Sequence, residues 1–285
     1  MADLTSLPLE EFAEFATGLA QAAGEITMHY FQKLPAVEYK ADRSPVTVAD
    51  RESESLLRQR IEKRYPAHGI LGEEFGMTQP EAELRWLLDP IDGTESFIRG
   101  VPLYGVMLGL VMMTRGGADT GNHRVRPYEG GDPLVGVVHF PALRETVVAW
   151  RGGGCWWNRV RAHVSGVARL EEATLLTTDR LGLSAAGKRA AYEELRRRVR
   201  TERGWGDCYG HVLVATGRAE IMLDPVLHEW DAAPLIPILE EAGGRFTDWK
   251  GRRTISGGDG FATNGALYEE VLGVVAGKGR GTEER

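Results

Sequence analysis

The run Trp86-Leu87-Leu88-Asp89-Pro90-Ile91-Asp92-Gly93-Thr94 constrains the fold more than any other part of the chain. An apolar strand here ends directly in two carboxylates three residues apart, with a proline between them. Pro90 fixes φ and removes a donor, so the chain turns with its side chains held in place. Asp89, Asp92 and the Ile91 carbonyl can then converge on one hard cation, since Mg²⁺ prefers oxygen ligands. Gly93 lets the backbone approach a ligand closely. Thr94 adds a hydroxyl at a helix start, where free N–H groups bind anions. The same residues also read as a plain turn with an N-cap, because Asp-Pro and Asp-Gly are common turn formers.

Three more acidic sites follow apolar segments. Glu73 and Glu74 stand behind Ile70-Leu71, Asp50 follows Val46-Thr47-Val48-Ala49, and Asp231 sits where a helix should start. Each alone reads as a solvated loop or an N-cap. Four such sites brought together would repel one another, and raised pKa values or cations would have to neutralise them. Metal is the economical answer.

Elsewhere, helical spacing of apolar residues spans Leu9–Phe31, and a second helix is expected from Asp50 to about Arg64. Lys40–Val46 reads as a turn. Tyr104–Met113, Val135–Phe140 and Thr146–Trp150 predict a β-meander, with Arg115–Pro133 a long exposed hairpin loop. Gly152–Gly154 marks a domain boundary, which places a metal-binding α+β domain at 1–151 and an α/β domain at 152–285. In the second half, strands are expected at Leu175–Thr178, Glu220–Leu223, Phe246 and Phe261-Ala262. Helices are expected at Ala186–Arg200, Tyr209–Gly217, Ala232–Ala242 and Ala266–Val275, with a bend at Pro237 and a disordered tail at 277–285.

Composition excludes several classes. The 34 Lys and Arg against 41 Asp and Glu leave a net charge of −7, which argues against a broad nucleic-acid surface but not against an anionic substrate beside a metal. Cys155 and Cys208 form no zinc or disulfide pattern, so a reducing compartment fits. The N-terminus carries no secretory pattern, and Val101–Met113 is too short to span a bilayer; a cytoplasmic protein with no membrane partner is expected. Trp156-Trp157 reads as edge packing, Arg196-Arg197-Arg198 as a solvated helix face, and His211 and His228 as satisfied surface or helix residues.

The segments Leu71–Glu74, Asp89–Thr94 and Trp230–Gly244, in this order and spacing, resemble the inositol-monophosphatase superfamily over roughly residues 8–275. The resemblance implies a layered α/β/α/β/α sandwich of two domains, fructose-bisphosphatase-like, with the active site between them and a homodimeric assembly. It implies a lithium-sensitive, Mg²⁺-dependent phosphomonoesterase with two or three ions per site, for which Mn²⁺ is a possible substitute. Carried onto this chain, Glu73, Asp89 and the Ile91 carbonyl hold one ion, and Asp89, Asp92 and Asp231 a second. Glu73 also borders a third, with Asp50 close by. Thr94, paired with Asp50, orients or deprotonates the attacking water.

Ser96–Pro102, Trp205–Gly210 and Ala262–Leu267 resemble the histidinol-phosphate phosphatase branch. That implies hydrolysis of L-histidinol phosphate in histidine biosynthesis, with inositol 1-phosphate or a broad set of sugar phosphates as the alternative. Histidinol phosphate carries an ammonium and an imidazole, so its pocket should offer carboxylates beyond those on the metal. Asp207 and Asp224 are the candidates, beside Asp92, Gly93, Thr94 and Asp231 at the phosphate end. A catalytically silent metal-binding regulator is the rival from another class. It should have lost a ligand or the Thr hydroxyl, and this chain has not.

Overall fold

The computed structural model describes residues 7–33, 37–40, 45–113 and 131–277. The first half opens with α1 (Leu9–Tyr30), a two-stranded ladder of β1 (Val37–Tyr39) and β2 (Pro45–Thr47), and α2 (Val48–Arg64). Thr47 caps α2: its hydroxyl accepts from Ala49 N while the Asp50 carboxylate accepts from Thr47 N. This reciprocal cap starts the helix at Val48 rather than at Asp50. Of the expected turn, residues 41–44 lie outside the described residues, and Pro45 and Val46 are strand.

Eight strands then form the larger sheet. They are β3 (Gly69–Gly72), β4 (Gly76–Thr78), β5 (Leu84–Asp92) and, after the short α3 (Thr94–Ile98), β6 (Gly105–Met112), β7 (Asp132–Phe140), β8 (Glu145–Trp150), β9 (Gly154–Trp157) and β10 (Val160–Arg161). Their order is β10-β9-β8-β7-β6-β5-β3-β4, antiparallel except for β3 beside β5. The meander is as expected. Its loop is shorter at one end, because Asp132 and Pro133 belong to β7, with Pro133 opposite Val111 at a bulge where a missing donor is tolerated. Residues 114–130 lie outside the described residues.

Gly152–Gly154 does not end this sheet. It turns β8 into β9, which pairs back through Val148 and Trp156. The change of sheet falls between Arg161 and Thr174, so a division at residue 151 is corrected to that interval. The Gly152 and Gly154 N–H groups donate to the Glu241 carboxylate at 2.8 and 2.7 Å. Trp156 and Trp157 pack at the sheet edge, under the guanidinium groups of Arg161 and Arg218 at 5.3 and 4.2 Å.

The second half adds β11 (Thr174–Thr177), α4 (Arg180–Ala185), α5 (Arg189–Arg198), β12 (Thr201–Arg203), α6 (Asp207–Ala215), β13 (Ile221–Asp224), α7 (Glu229–Glu241), β14 (Arg245–Thr247), β15 (Gly260–Thr263) and α8 (Tyr268–Val275). The five strands run in the order β12-β11-β13-β15-β14, parallel at β12-β11-β13 and antiparallel beyond. The expected helix at 186–200 is α5, a few residues shorter, and α4 is a further helix ahead of it. Asp179 caps α4 by accepting from Leu181 and Gly182 N, and Gly187, at φ +70°, ends it. α6 and α7 start earlier than expected, and α7 runs unbroken through Pro234 and Pro237. Residues 278–285, where a disordered tail was expected, lie outside the described residues.

Alternation along the strands assigns the layers. On β6, Val106, Leu108 and Leu110 face the α1–α2 side, while Met107 and Val111 join the core that holds α6 and α7. On β13, Met222 joins that central core, while Ile221 and Leu223 face Leu183, Tyr192, Leu195 and Val271 of α4, α5 and α8. Both sheets are thus covered on both faces, giving the α/β/α/β/α order. α7 comes closest at the paired glycines Gly109 and Gly136. A methyl at Gly136 would collide with the Pro234 carbonyl, and one at Gly109 would lie 3.0 Å from Ala233 Cβ. Gly136→Ala is therefore expected to cost about 2 kcal/mol or more by overpacking. A fall in Tm without loss of α7's position by spectroscopy would show this, and an unchanged Tm would refute the close approach.

Candidate active site

The acidic ends meet where β5 leaves the larger sheet. Asp89 is buried there, its Oδ1 accepting from Ile91 N at 2.9 Å. The β5–β6 pairing slips between Asp89, opposite Met107, and Asp92, opposite Gly105. Asp92 Oδ2 accepts from Cys208 N at 2.6 Å, so the first turn of α6 holds it. Asp231 lies in the first turn of α7, where its Oδ2 accepts from His228 N at 2.8 Å. Asp89, Asp92 and Asp231 each offer one oxygen within 4.8 Å of the others.

These three fit a metal. They are mutually close, Asp89 and Asp231 are buried and Asp92 half-buried, and among the described residues no basic side chain pairs with them. Burial pushes the Asp89 carboxyl well up, and the charges of Glu73, Asp92 and Asp231 push it further. Asp231 is raised chiefly by burial and then by Asp92. Asp92 is pushed up to about 6 by burial, against the lowering effect of its bonds to Cys208.

Glu73 stands beside the trio rather than within it. Its Oε1 accepts from Lys40 Nζ at 2.7 Å, and the same ammonium donates to Glu74 Oε1 at 2.5 Å. Burial would lower the Lys40 ammonium, but the two glutamates outweigh it and hold the group charged. Nothing in the spacing around Lys40 singles it out, because the contact spans 33 residues. Glu54, wholly buried on α2, was also missed. It accepts from Glu74 and Phe75 N and from Arg58, and so fixes the loop that carries Glu73.

Asp50 and Thr94 are not paired, which corrects the expected dyad. Both bonds to Asp50 come from Thr47, from its N at 2.8 Å and its hydroxyl at 2.7 Å. The Thr94 hydroxyl instead donates to the Ile91 carbonyl at 3.0 Å. The local cap satisfies Asp50 before any longer-range partner can. Burial pushes Asp50 up to about 7, against its bonds to Thr47, and the charges of Glu74 and Glu73 add to the rise.

On the far side, α6 begins with Asp207 in the left-handed region at φ +53°. Such strain costs about 1 kcal/mol or more in a residue with a Cβ and concentrates at functional sites. The Asp207 carboxylate lies against Gly93, where an added Cβ would come 3.1 Å from its Oδ2. Gly93, at φ +82°, takes a backbone conformation that glycine adopts freely. Burial raises Asp207 well above the usual range, with the Asp92 and Asp224 charges adding to it. Thr178, unmarked in the sequence, joins the two outer carboxylates: its hydroxyl accepts from Asp207 N at 2.9 Å and donates to Asp224 Oδ2 at 3.0 Å.

The two histidines divide. His228 is an exposed N-cap of α7 stacked on Trp230 at 4.8 Å. His211 is wholly buried with neither ring nitrogen hydrogen-bonded, which overturns its reading as a satisfied residue. Helical spacing cannot reveal what lies across the core from a side chain.

The model of the inositol monophosphatase family matches residues 8–120 and 127–280. The chain belongs to the inositol monophosphatase family. It is 40% identical over 274 residues, 95% of its length, to a histidinol-phosphatase of Chlorobaculum parvum, covering 98% of that protein. With a histidinol-phosphatase of Mycobacterium tuberculosis it shares 38% identity over 90% of its length and 95% of the relative's. Its fold is similar to that of an inositol monophosphatase from Zymomonas mobilis, with TM-score 0.79 and 30% identity over 94% of this chain and 99% of that one. The chain is accordingly a phosphatase, a phosphoric monoester hydrolase, with the layered fold of its family. Among the described residues no helix is long and apolar enough to cross a membrane.

The raised carboxylates carry a pH signature. A folded-state pKa above the unfolded value of about 3.9 means that the folded chain holds more protons. The contribution of these carboxyls to metal-free stability is therefore fully present below about pH 4 and is lost as pH rises through the folded values, about 6 for Asp92 and 7 for Asp50. The Tm of the EDTA-treated protein should fall between pH 5 and 8, and Mg²⁺ should restore it most at pH 8. A Tm that rises over this range would contradict the cluster.

Proposed function

We propose that the chain hydrolyses L-histidinol phosphate to L-histidinol and phosphate, in histidine biosynthesis. Asp89, Asp92 and Asp231 would hold Mg²⁺, with Glu73 and the Ile91 carbonyl at the border and Asp50 behind them; Mn²⁺ is a possible substitute. When bound, such ions neutralise phosphoryl oxygens and lower the pKa of water. The hydroxyl proton of Thr94 is committed to the Ile91 carbonyl, so its oxygen orients a water by accepting from it rather than by deprotonating it. Gly93 leaves room for the phosphate end. Lithium sensitivity, a homodimer and a cytoplasmic location belong to the same reading.

One observation carries the choice of ester. Asp207 and Asp224 lie beyond the metal trio, and among the described residues no Lys or Arg pairs with either. A cationic substrate compensates such carboxylates, whereas a neutral polyol leaves them repelling. The likeness to an inositol monophosphatase structure favours the second reading, inositol 1-phosphate or a broad set of sugar phosphates. Phosphate release with Mg²⁺ from histidinol phosphate and inositol 1-phosphate separates the two. A preference of about a hundredfold in kcat/KM, about 2.7 kcal/mol, supports histidinol phosphate. Equal or reversed rates would favour the generalist.

A further inference from the structure

His211 lies one helical turn beyond Asp207 on α6, wholly inside the central core. Its ring packs against Phe246 at 5.7 Å between centroids, with Cys208, Val212 and Met222 in the same cluster. Both ring nitrogens are sealed from water and unpaired. An unpaired buried polar atom costs roughly 1–3 kcal/mol, so an apolar side chain would suit this place better. Local rules tend to be broken where a site needs the residue.

Asp224 indicates what the need is. Both of its inner side-chain contacts fall on one oxygen: Thr178 Oγ1 donates to Oδ2 at 3.0 Å, and His211 Nε2 faces the same Oδ2 from 3.8 Å. Among the described residues, none donates a hydrogen bond to Oδ1. An acceptor at this position selects the Nε2–H form of the ring. A small inward turn of the imidazole would close the gap to a hydrogen bond. Meanwhile Asp92, Asp207 and Asp231 surround the same space with like charge, which would drive an unheld carboxylate to turn away.

We propose that His211 is the positioning residue of Asp224: its Nε2–H holds Oδ2 at the back of the pocket and leaves Oδ1 free for the ammonium of a cationic phosphate ester. The inference rests on Asp224 being a substrate-binding carboxylate. His211 itself does not touch the substrate. It sets the direction of a charge, and Thr178 shares that work from the other side.

The test uses the Mg²⁺-loaded enzyme with histidinol phosphate and glycerol 2-phosphate as probes. The wild type is compared with His211→Leu, His211→Gln and Asp224→Asn. In His211→Leu the KM for histidinol phosphate should rise about tenfold while that for glycerol 2-phosphate moves by less than about twofold, the scale of one hydrogen bond to a charged group. Its Tm should change little, because leucine fills the apolar space that the imidazole leaves. His211→Gln, whose amide donates toward the same oxygen, should recover most of the affinity. Equal KM changes on both esters, or none, while Asp224→Asn remains selective, would overturn the role of His211 alone. An Asp224→Asn enzyme that loses nothing on histidinol phosphate would instead overturn the reading beneath it. Should His211→Leu fail to fold, His211→Phe takes its place with the same expected split.

Discussion

Asp92→Asn is expected to lower kcat by about a thousandfold or more, the equivalent of some 4 kcal/mol of lost charge stabilisation at the phosphoryl group. The substitution is nearly isosteric, and an amide oxygen can still accept from Cys208 N, so α6 keeps its hold on the turn. What disappears is one negative charge from a buried group of three. The metal-free protein should therefore gain stability, because Asp89 and Asp231 lose a repelling neighbour. Its Tm shift on adding Mg²⁺ should shrink or vanish. Activity within tenfold of wild type, with the Mg²⁺ shift intact, would remove Asp92 from the cation-holding group.

Asp207→Asn should act on selectivity rather than on turnover as such. Asparagine tolerates the left-handed backbone at φ +53° at least as well as aspartate, so the start of α6 should persist. With the charge gone, kcat/KM for histidinol phosphate should fall by about a hundredfold, the upper range for a hydrogen bond to a charged group. A neutral ester such as glycerol 2-phosphate should lose far less. Paired kcat/KM measurements on the two esters decide it, and equal losses would show that Asp207 does not read the ammonium. The two substitutions together test the site as two halves, one facing phosphate and one facing the cationic end.

The acidic half was legible because its chemistry is written locally. Asp89, Pro90 and Asp92 close one strand, which runs on through Asp92 with a slip in its pairing where a turn was expected, and carboxylates this near in sequence stay near in space whatever surrounds them. The partners of those residues were less legible. Asp50 was assigned to Thr94 and bonds to Thr47, because a cap three residues away forms at lower entropic cost than a bond across the fold. Lys40 with Glu73, Thr178 with Asp224, and Glu54 beneath the Glu73–Glu74 loop join residues 20 to 46 positions apart. No periodicity records such contacts.

Element boundaries show the same division. Gly187 ends α4, a helix that the spacing did not mark, and Gly152–Gly154 looked like a boundary but turns one strand into the next. A glycine permits either, and the pairing available on the neighbouring strand decides between them. By itself the sequence determined that apolar segments of this chain end in carboxylates and that its second half alternates strands and helices, and its motifs carried the resemblance to a phosphatase family. Only the tertiary structure decided which carboxylates stand together, which are held by Lys40 or Thr47, and that His211 is sealed behind Asp224. The local readings follow from spacing along one element, where geometry repeats every two or 3.6 residues, and the family from the resemblance of three motifs. The tertiary pairings depend on which faces the packed layers bring into contact, and that is a property of the whole chain.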